Sequence, residues 1–342
     1  MGDITIALDA MGGDYGAKIV VPAAIAAVQQ HAHVKIYLVG KQEVLAEHLS
    51  GVASEYKDRL IIHHASQTVA MDELPSSALR TKKDSSMRVA INLVKERKAQ
   101  AVVSAGNTGA LMATARFVLK TLPGIDRPAL ISELPTLVNR TRVLDLGANV
   151  DSYAEHLFQF AVMGSVLVAA EDNIDSPTVG LLNIGAEEIK GNEQVKHAAQ
   201  LLTESNAVNY IGYVEGNELL KGKVDIIVCD GFIGNIALKT LEGSAKVLSR
   251  IIRETFQQTI FSRMIGLLSF SVLKRLRKRM DPAQYNGASL LGLNGIVIKS
   301  HGGANVLGFT AAINEAVVEA QKDVPNLIGE RVSVLLQEGL LT

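Results

Sequence analysis

The chain has 342 residues, which is enough for one large α/β domain or two modest ones, each with its own core. Its composition is 48% hydrophobic and 20% charged, which excludes a disordered chain and is typical of a buried sheet packed between helices. Lys and Arg number 34 against 35 Asp and Glu, and this net charge of -1 excludes a general attraction to nucleic acid.

The sequence predicts a cytoplasmic protein. Cys229 is the single cysteine, so no internal disulfide can form, and the residues after Met1 carry no secretory signal pattern. No run of about 18 uninterrupted apolar residues occurs, so we expect no membrane-spanning segment.

Short β-rich runs alternate with longer Ala-rich helical stretches along the chain. The series begins with a strand at 4–10, a helix at 19–30 and a strand at 34–39. Further strands are predicted at 60–63, 101–104, 129–133, 142–146, 178–183, 225–229 and 295–299. This alternation predicts a largely parallel sheet.

Most of these strands run directly into loops rich in Gly, Asp and Asn. Six such loops begin near Asp9, Ser104, Asp145, Asn183, Cys229 and Lys299. Because the carboxyl ends of parallel strands share one edge of a sheet, we expect all six loops at one edge, around an anion-binding crevice. The alternative is that these residues only supply turns and helix caps, and the repetition over six loops favours the crevice.

Residues 250–280 differ from the rest of the chain. Eight Lys and Arg residues face a single acid, Glu254, and apolar residues are interleaved at helical spacing. Gly266 and Ser269 near the middle predict two helices joined by an apolar turn, closed by Asp281-Pro282. Three roles remain open and are not exclusive: contact with a membrane surface, packing of a dimer, or docking of an acidic protein.

Several motifs are absent. The chain has no Gly-x-Gly-x-x-Gly after a strand, no phosphate-binding P-loop and no Gly-x-Ser-x-Gly, which disfavours a dehydrogenase, a nucleotide hydrolase and a serine hydrolase. The eight His residues lack metal-ligand spacing, so we expect no metal and no cofactor. Cys229 stands beside Asp230, where a carboxylate raises a thiol pKa, and we expect a core residue rather than a nucleophile.

Six strings of residues resemble one family along nearly the whole chain. They are Leu8-Asp-Ala-Met-Gly-Gly-Asp14, Ser77-Ala-Leu-Arg-Thr-Lys-Lys-Asp-Ser-Ser-Met87, Ser104-Ala-Gly-Asn-Thr-Gly-Ala-Leu-Met112, Ile189-Lys-Gly-Asn-Glu193, Cys229-Asp-Gly-Phe-Ile-Gly-Asn-Ile-Ala-Leu-Lys239 and Leu290-Leu-Gly-Leu-Asn-Gly295. The resemblance is to the bacterial phosphate acyltransferases of phospholipid synthesis, of the PlsX type.

The resemblance implies an enzyme that moves a long-chain fatty acyl group from acyl carrier protein to inorganic phosphate. The acyl-phosphate product would serve a downstream glycerol-phosphate acyltransferase in phosphatidic acid and phospholipid synthesis. It also implies a homodimer, peripherally attached to the inner face of the cell membrane. The implied fold is a Rossmann-like three-layer α/β/α fold, similar to isopropylmalate dehydrogenase. We predict a single catalytic domain over 1–342, in which the residue pattern places a helical hairpin at 244–282.

Inorganic phosphate already presents a deprotonated oxygen and a thiolate is a fair leaving group, so positioning and charge stabilisation suffice for this reaction. We expect Lys190 to hold phosphate or the oxyanion, and Asn235 to donate a hydrogen bond there, as the resemblance also implies. The alternatives are a solvated lysine at a helix start and a helix N-cap.

The expected phosphate- and substrate-binding residues are Gly12, Gly13, Ser85, Ser86, Asn107, Thr108, Gly109, Asn192 and His301. A wider set of candidate anion-binding groups includes Arg80, Lys82, Lys83, Lys239 and Lys299. His301 could also protonate the departing thiolate. Asp9 and Asp14 would repel phosphate unless they orient a lysine, so Asp9 is expected only to support other residues.

The residues expected to contact a membrane or partner are Leu267, Leu268, Phe270, Lys274, Arg275, Arg277, Lys278 and Arg279. For the acidic carrier protein, the basic clusters 80–83 and 275–279 are the candidate docking sites. Two other functions stay open: a phosphotransacetylase-like enzyme that uses acyl-CoA, and a non-enzymatic membrane-surface adaptor that senses an anionic ligand.

Overall fold

The protein forms a single mixed sheet with helices on both faces. The computed structural model describes residues 3–279 and 285–341, and within them the sheet has eleven strands. These are β1 (Ile4–Asp9), β2 (Val34–Gly40), β3 (Leu60–His64), β4 (Ala101–Ser104), β5 (Ala129–Leu134), β6 (Thr141–Leu144), β7 (Thr178–Asn183), β8 (Asn209–Glu215), β9 (Ile226–Val228), β10 (Ala288–Leu291) and β11 (Ile296–Lys299).

The same residues form thirteen α-helices. They are α1 (Ala17–Gln30), α2 (Gln42–Leu49), α3 (Ser54–Lys57), α4 (Pro75–Thr81), α5 (Ser86–Lys95), α6 (Thr108–Leu119), α7 (Ala154–Asp172), α8 (Glu193–Ser205), α9 (Gly231–Gln257), α10 (Ile260–Leu268), α11 (Phe270–Arg279), α12 (Val306–Lys322) and α13 (Val324–Gln337). Every one of them is too short or too polar to span a bilayer.

The strand order is β3-β2-β1-β4-β11-β10-β5-β6-β9-β7-β8. Strands β3, β2, β1, β4 and β11 are parallel to one another, and so are β6, β9, β7 and β8. Between the two sets, β10 is antiparallel to both β11 and β5, and β5 is antiparallel to β6. These three antiparallel pairings reverse the sheet, so the two parallel sets point in opposite directions.

This reversal corrects one expectation from the sequence. The six polar loops do not gather at one edge of the sheet. The loops after β1, β4 and β11 lie at one edge, which we call the Lys299 end, and those after β6, β7 and β9 lie at the opposite edge, the Asn235 end. The prediction failed because the residue pattern of a strand does not show whether it pairs parallel or antiparallel with its neighbours.

Alternating side chains divide the core between the two faces of the sheet. The front face carries one continuous apolar cluster, with Val102, Val297 and Ile227 from the strands, under α5, α6 and the first turns of α9. The back face carries two clusters, one under α1 and α12 and the other under α7, α8 and α13. This three-layer architecture confirms the expected fold class.

The sequence pattern did not predict two of the strands, β8 and β10. Strand β8 contains Gly212 at φ 100°, which breaks the apolar run, and β10 is only four residues long.

Residues 244–279 form the end of α9 followed by α10 and α11, so this part of the chain has three helices where the pattern predicted two. We call these residues the arm; the predicted closure at Asp281-Pro282 lies outside the described residues.

Candidate functional site

Three loops pack tightly together at the Lys299 end. The backbone N–H of Asp14 donates to the carbonyl oxygen of Gly302 at 2.9 Å. A Cβ on Gly13, at φ 82°, would lie 2.9 Å from Cβ of Ala105 and 3.0 Å from that same Gly302 oxygen. Only glycine suits this position, because the backbones of the loops after β1 and β11 touch there.

Lys299 ends β11 inside this cluster of loops. Its Nζ donates to the carbonyl oxygen of Gly106 at 2.5 Å. Burial lowers the pKa of Lys299 to about 8, the nearby Asp9 and Asp14 partly oppose that change, and Lys239 adds to it. Lys299 is therefore a cation whose charge is sensitive to what binds beside it.

Asp9 faces Lys299 from the end of β1. The carboxyl group is buried, with 1% exposure, and its Oδ2 accepts a hydrogen bond from Oγ of Ser104 at 2.6 Å. Its Oδ1 has no hydrogen-bond partner of normal geometry. Burial raises the pKa of Asp9, while Ser104, Ser86 and Lys299 oppose the rise. That an acid here orients a lysine stays a prediction.

Most of the side chains expected to bind phosphate at this end already have protein partners. Asn107 caps α6 by accepting from Ala110, and its Nδ2 donates to the carbonyl oxygens of Met71 and Glu73. Ser85 caps α5. His301 accepts from the N–H of Gly303 through Nδ1 at 3.1 Å, which leaves Nε2 to carry the ring proton of the neutral form.

The remaining members of that set lie at the same end. Ser86 is buried and approaches Asp9, whereas Thr108 is exposed at the first position of α6. Gly109 approaches Pro75, where a Cβ would lie 2.8 Å from Cγ, and Gly12 lies so close to Asp9 that a Cβ would overlap the carboxylate. The glycines thus allow close packing, and their phosphate-binding role stays a prediction.

At the Asn235 end, Asp145 holds the loop after β6. Its Oδ1 accepts from the backbone N–H groups of Leu130, Gly147 and Ala148 at 2.9–3.1 Å. Its Oδ2 accepts from the backbone N–H and Nδ2 of Asn149 at 2.7 and 2.9 Å. Burial raises the pKa of Asp145, and these donors oppose the rise. Sequence reasoning gave Asp145 no role.

Asn235 lies in the first turns of α9, next to that loop. A Cβ on Gly147 would lie 3.3 Å from Cβ of Asn235. The N-cap of α9 is Asp230, whose side chain accepts from the N–H of Ile233, so Asn235 is not the helix cap. The side chain of Asn235 is exposed and stands at the mouth of the loop that Asp145 holds.

Lys190 and Asn192 lie in the loop after β7, which pairs with β9, and so they share this end with Asn235. Lys190 is exposed and its carbonyl oxygen accepts from Nδ2 of Asn183. Asn192 caps α8 by accepting from the N–H of Val195. The structure therefore brings the two expected catalytic residues to one edge, apart from the loops around Lys299.

Helix α9 connects the two ends across the front face. Lys239 follows Asn235 by four residues and thus lies on the same side of the helix. It is near enough to Lys299 for their repulsion to lower the pKa of Lys299. Lys239 therefore brings positive charge from α9 close to the Lys299 end.

A groove of about 510 Å³ opens on α6 and reaches the loop after β6. Its walls include Leu79, Met112, Arg116, Phe117, Lys120 and Asn149. Phe117 is 52% exposed, with Cζ of Arg88 at 5.2 Å and Nζ of Lys120 at 4.9 Å from its ring centroid. The groove thus combines apolar walls with a basic rim, a feature that sequence reasoning missed because it joins distant segments.

Cys229 is buried at 3% exposure, and its Sγ lies 3.6 Å from the carbonyl oxygen of Asp145. Burial, together with Asp145 and Asp230, raises the pKa of this thiol well above its usual range. The expectation that Cys229 is a core residue is confirmed.

Comparisons with known proteins agree on the chain's relationships. A family model described as "Fatty acid synthesis protein" matches residues 4–327. The chain is 58% identical to "Phosphate acyltransferase" of Legionella pneumophila (strain Corby) over the whole of both proteins. It is also 58% identical to "Phosphate acyltransferase" of Nitrosococcus oceani, over 98% of each.

The solved structure of a phosphotransacetylase from Streptococcus pyogenes is similar in fold. It superimposes with a TM-score of 0.62 over 93% of this chain and 94% of that one, at 18% sequence identity. At that identity the likeness concerns the fold alone.

Proposed function

The chain belongs to the phosphate acyltransferase family, enzymes that transfer an acyl group to phosphate, and from this premise we propose that its donor is a long-chain acyl carrier protein and its acceptor inorganic phosphate. The same relationship sets aside a non-enzymatic adaptor. The product would be an acyl-phosphate for phospholipid synthesis, formed by an enzyme of the cytoplasm.

The groove on α6 is the observation that carries the choice of a long-chain acyl group. Its volume of about 510 Å³ falls in the range of small-molecule sites, and Leu79, Met112 and Phe117 give it the apolar walls that an acyl chain needs. It ends at Asn149, which donates to Asp145 beside Asn235. An acyl chain lying in the groove would therefore place its thioester near the start of α9.

The chemistry needs no covalent enzyme intermediate. A phosphate oxygen attacks the thioester carbon, the new C–O bond forms, and the C–S bond breaks with its electron pair leaving on the thiolate. We assign Lys190 to phosphate or the oxyanion and Asn235 to the oxyanion. We also assign Lys239 and Lys299 to added positive charge at the site, and His301 to protonation of the thiolate through Nε2.

The acidic carrier protein would dock beside the groove. Arg80 is exposed and follows Leu79 of the groove wall, with Lys82 and Lys83 directly after α4. Arg116 and Lys120 extend this basic surface along α6. Charge complementarity of this kind steers encounter with an acidic partner.

The arm would serve attachment to a membrane or assembly of a homodimer. Ile260, Leu267 and Leu268 are exposed by 77–85%, and Phe270 by 64%, so a broad apolar surface is open to a partner. Lys274 and Arg275 are exposed at its edge. Arg277, Lys278 and Arg279 continue α11, but their side chains lie outside what the structure describes.

The test is release of free carrier-protein thiol from long-chain acyl carrier protein, with and without inorganic phosphate. We expect phosphate-dependent release by the native protein and a loss of about 100-fold or more in Lys190→Ala and Asn235→Ala. Lys196→Ala, at a partly exposed lysine on α8 that pairs with Glu193, is the matched control and keeps full activity. Release from acyl-CoA but not from the carrier protein would overturn the proposed donor.

A further inference from the structure

Three glutamates form a buried acidic cluster on the back face, far from the groove. Glu171 comes from α7, and Glu315 and Glu319 come from α12; each offers a carboxylate oxygen, and these oxygens all lie within 4.8 Å of one another. Glu319 is 1% exposed. The cluster lies where the two apolar cores of the back face meet, and it interrupts them with charge.

The surrounding cations are too few to neutralise these acids. Arg142, from β6, donates to both oxygens of Asp172 and, through Nη2, to Oε2 of Glu171 at 2.8 Å. Arg140 lies 3.5 Å from Glu133 of β5 and 3.8 Å from Asp172. In the described part of the chain, the guanidinium groups of Arg140 and Arg142 therefore face five carboxylates. These are Glu133, Glu171, Asp172, Glu315 and Glu319.

Several oxygens in this cluster lack partners. Glu171 uses Oε2 for Arg142, whereas its Oε1 is buried without a hydrogen bond, and so is Oε1 of Glu319. Ser289, on β10 and 2% exposed, lies beside Glu319, and its Oγ also makes no hydrogen bond of normal geometry. This buried hydroxyl makes no hydrogen bond of normal geometry and comes from a different element than the carboxylates, so it is an independent sign that the cluster binds a ligand, since buried polar groups are normally satisfied.

We propose that Glu171, Glu315 and Glu319 hold a hard divalent cation that ties α7 to α12. Three oxygens within 4.8 Å of one another can all reach one ion close to the 2.3–2.6 Å that Ca²⁺ prefers, and smaller ions need only a slight contraction. An adjoining cavity of about 70 Å³, lined in part by Glu315 and Arg142, has room for water to complete the coordination. The ion would join the two parallel sets of strands, because α7 covers β6, β9 and β7, whereas α12 covers β1, β4 and β11.

The rival state is a cluster neutralised by protons. Burial raises the pKa of all three glutamates, repulsion from neighbouring carboxylates adds to the rise, and Glu171 and Glu315 are close enough to share a proton. The two states differ in their response to metal ions, because protonated carboxyl groups do not bind them.

The first experiment is thermal unfolding of the full chain after treatment with a chelator, with Ca²⁺, Mg²⁺ or Mn²⁺ then added singly. We expect a saturable rise in melting temperature of about 5 °C at ion concentrations well above the dissociation constant. Glu319→Gln and Glu315→Gln lose this rise. Glu155→Gln, an exposed residue on α7, is the matched control and keeps it.

A second measurement covers the case in which a variant does not fold. Equilibrium dialysis of the native protein against Mn²⁺ counts bound ions, and we expect one tightly bound ion per chain. No tight binding, or a melting temperature that none of the three ions changes, would overturn the proposal and assign the cluster to protons. Binding that persists in a folded Glu319→Gln variant would also overturn it.

Discussion

Asp9 ends β1 at the Lys299 end, and Asp145 directly follows β6 at the Asn235 end. Both carboxyl groups are buried, and both precede a loop that contains glycine. Asp145 accepts five hydrogen bonds from its own loop and from Leu130. Asp9 accepts one of normal geometry, from Ser104, and its Oδ1 accepts none, while its charge acts on nearby Lys299.

The difference shows how one sequence feature serves two purposes. A carboxylate surrounded by donors is fully committed to shaping a loop, and changing it should cost stability. A carboxylate with spare capacity beside a cation can instead tune that cation's charge, and changing it should cost activity. We therefore expect substitutions of these two carboxylates to separate, with Asp9 affecting catalysis and Asp145 affecting folding.

The largest expected effect is that of Lys299→Met on catalysis. The substitution keeps most of the apolar stem but removes the charge near Asp9 and Gly106, so we expect kcat/KM for phosphate to fall by about 1,000-fold. Steady-state kinetics at several phosphate concentrations checks this. Lys196→Met, on the surface of α8, is the control; equal activity of the two variants would contradict a role for Lys299.

Asp145→Asn tests the other half of the comparison. An Asn amide would direct its NH₂ group at N–H donors, so at least one buried donor loses its partner and the free energy of unfolding falls by about 3 kcal/mol. Denaturant unfolding measures the change. Asp151→Asn, six residues further on and exposed, should alter it by less than about 0.5 kcal/mol. A stable Asp145→Asn protein would show that the loop does not depend on this carboxylate.

The smallest expected effect is that of Asp9→Asn. We expect little change in stability and a loss of about 10-fold in activity, because the negative charge that supports protonated Lys299 is gone. In the native protein, phosphate affinity should fall above pH 8, as Lys299, with its pKa of about 8, loses its proton. Removing Asp9 lowers that pKa further, so the fall should begin at a lower pH. A pH profile of KM for phosphate that is the same in both proteins would contradict the coupling.

Much of the fold could be predicted from local patterns. The strands at β1, β2, β4 and β7 match their predicted positions within about two residues, because their apolar runs are bounded by polar or glycine-containing turns. Strand β10 could not be found in this way, since its four residues carry no period. The two expected catalytic residues share an edge, and Lys299 belonged to the candidate anion-binding groups, but the groove on α6 joins segments that the sequence keeps far apart.

The sequence by itself determined the family, the alternation of strands and helices, and the residue types gathered in the loops. Only the tertiary structure decided which of those loops meet, because β10 pairs antiparallel with β5, more than a hundred positions away along the chain, and so joins the two parallel sets. It also decided that Asp145 holds a loop while Asp9 faces a lysine. Local sequence places a carboxylate at a strand end, whereas the number of donors around it depends on the chain segments that pack there.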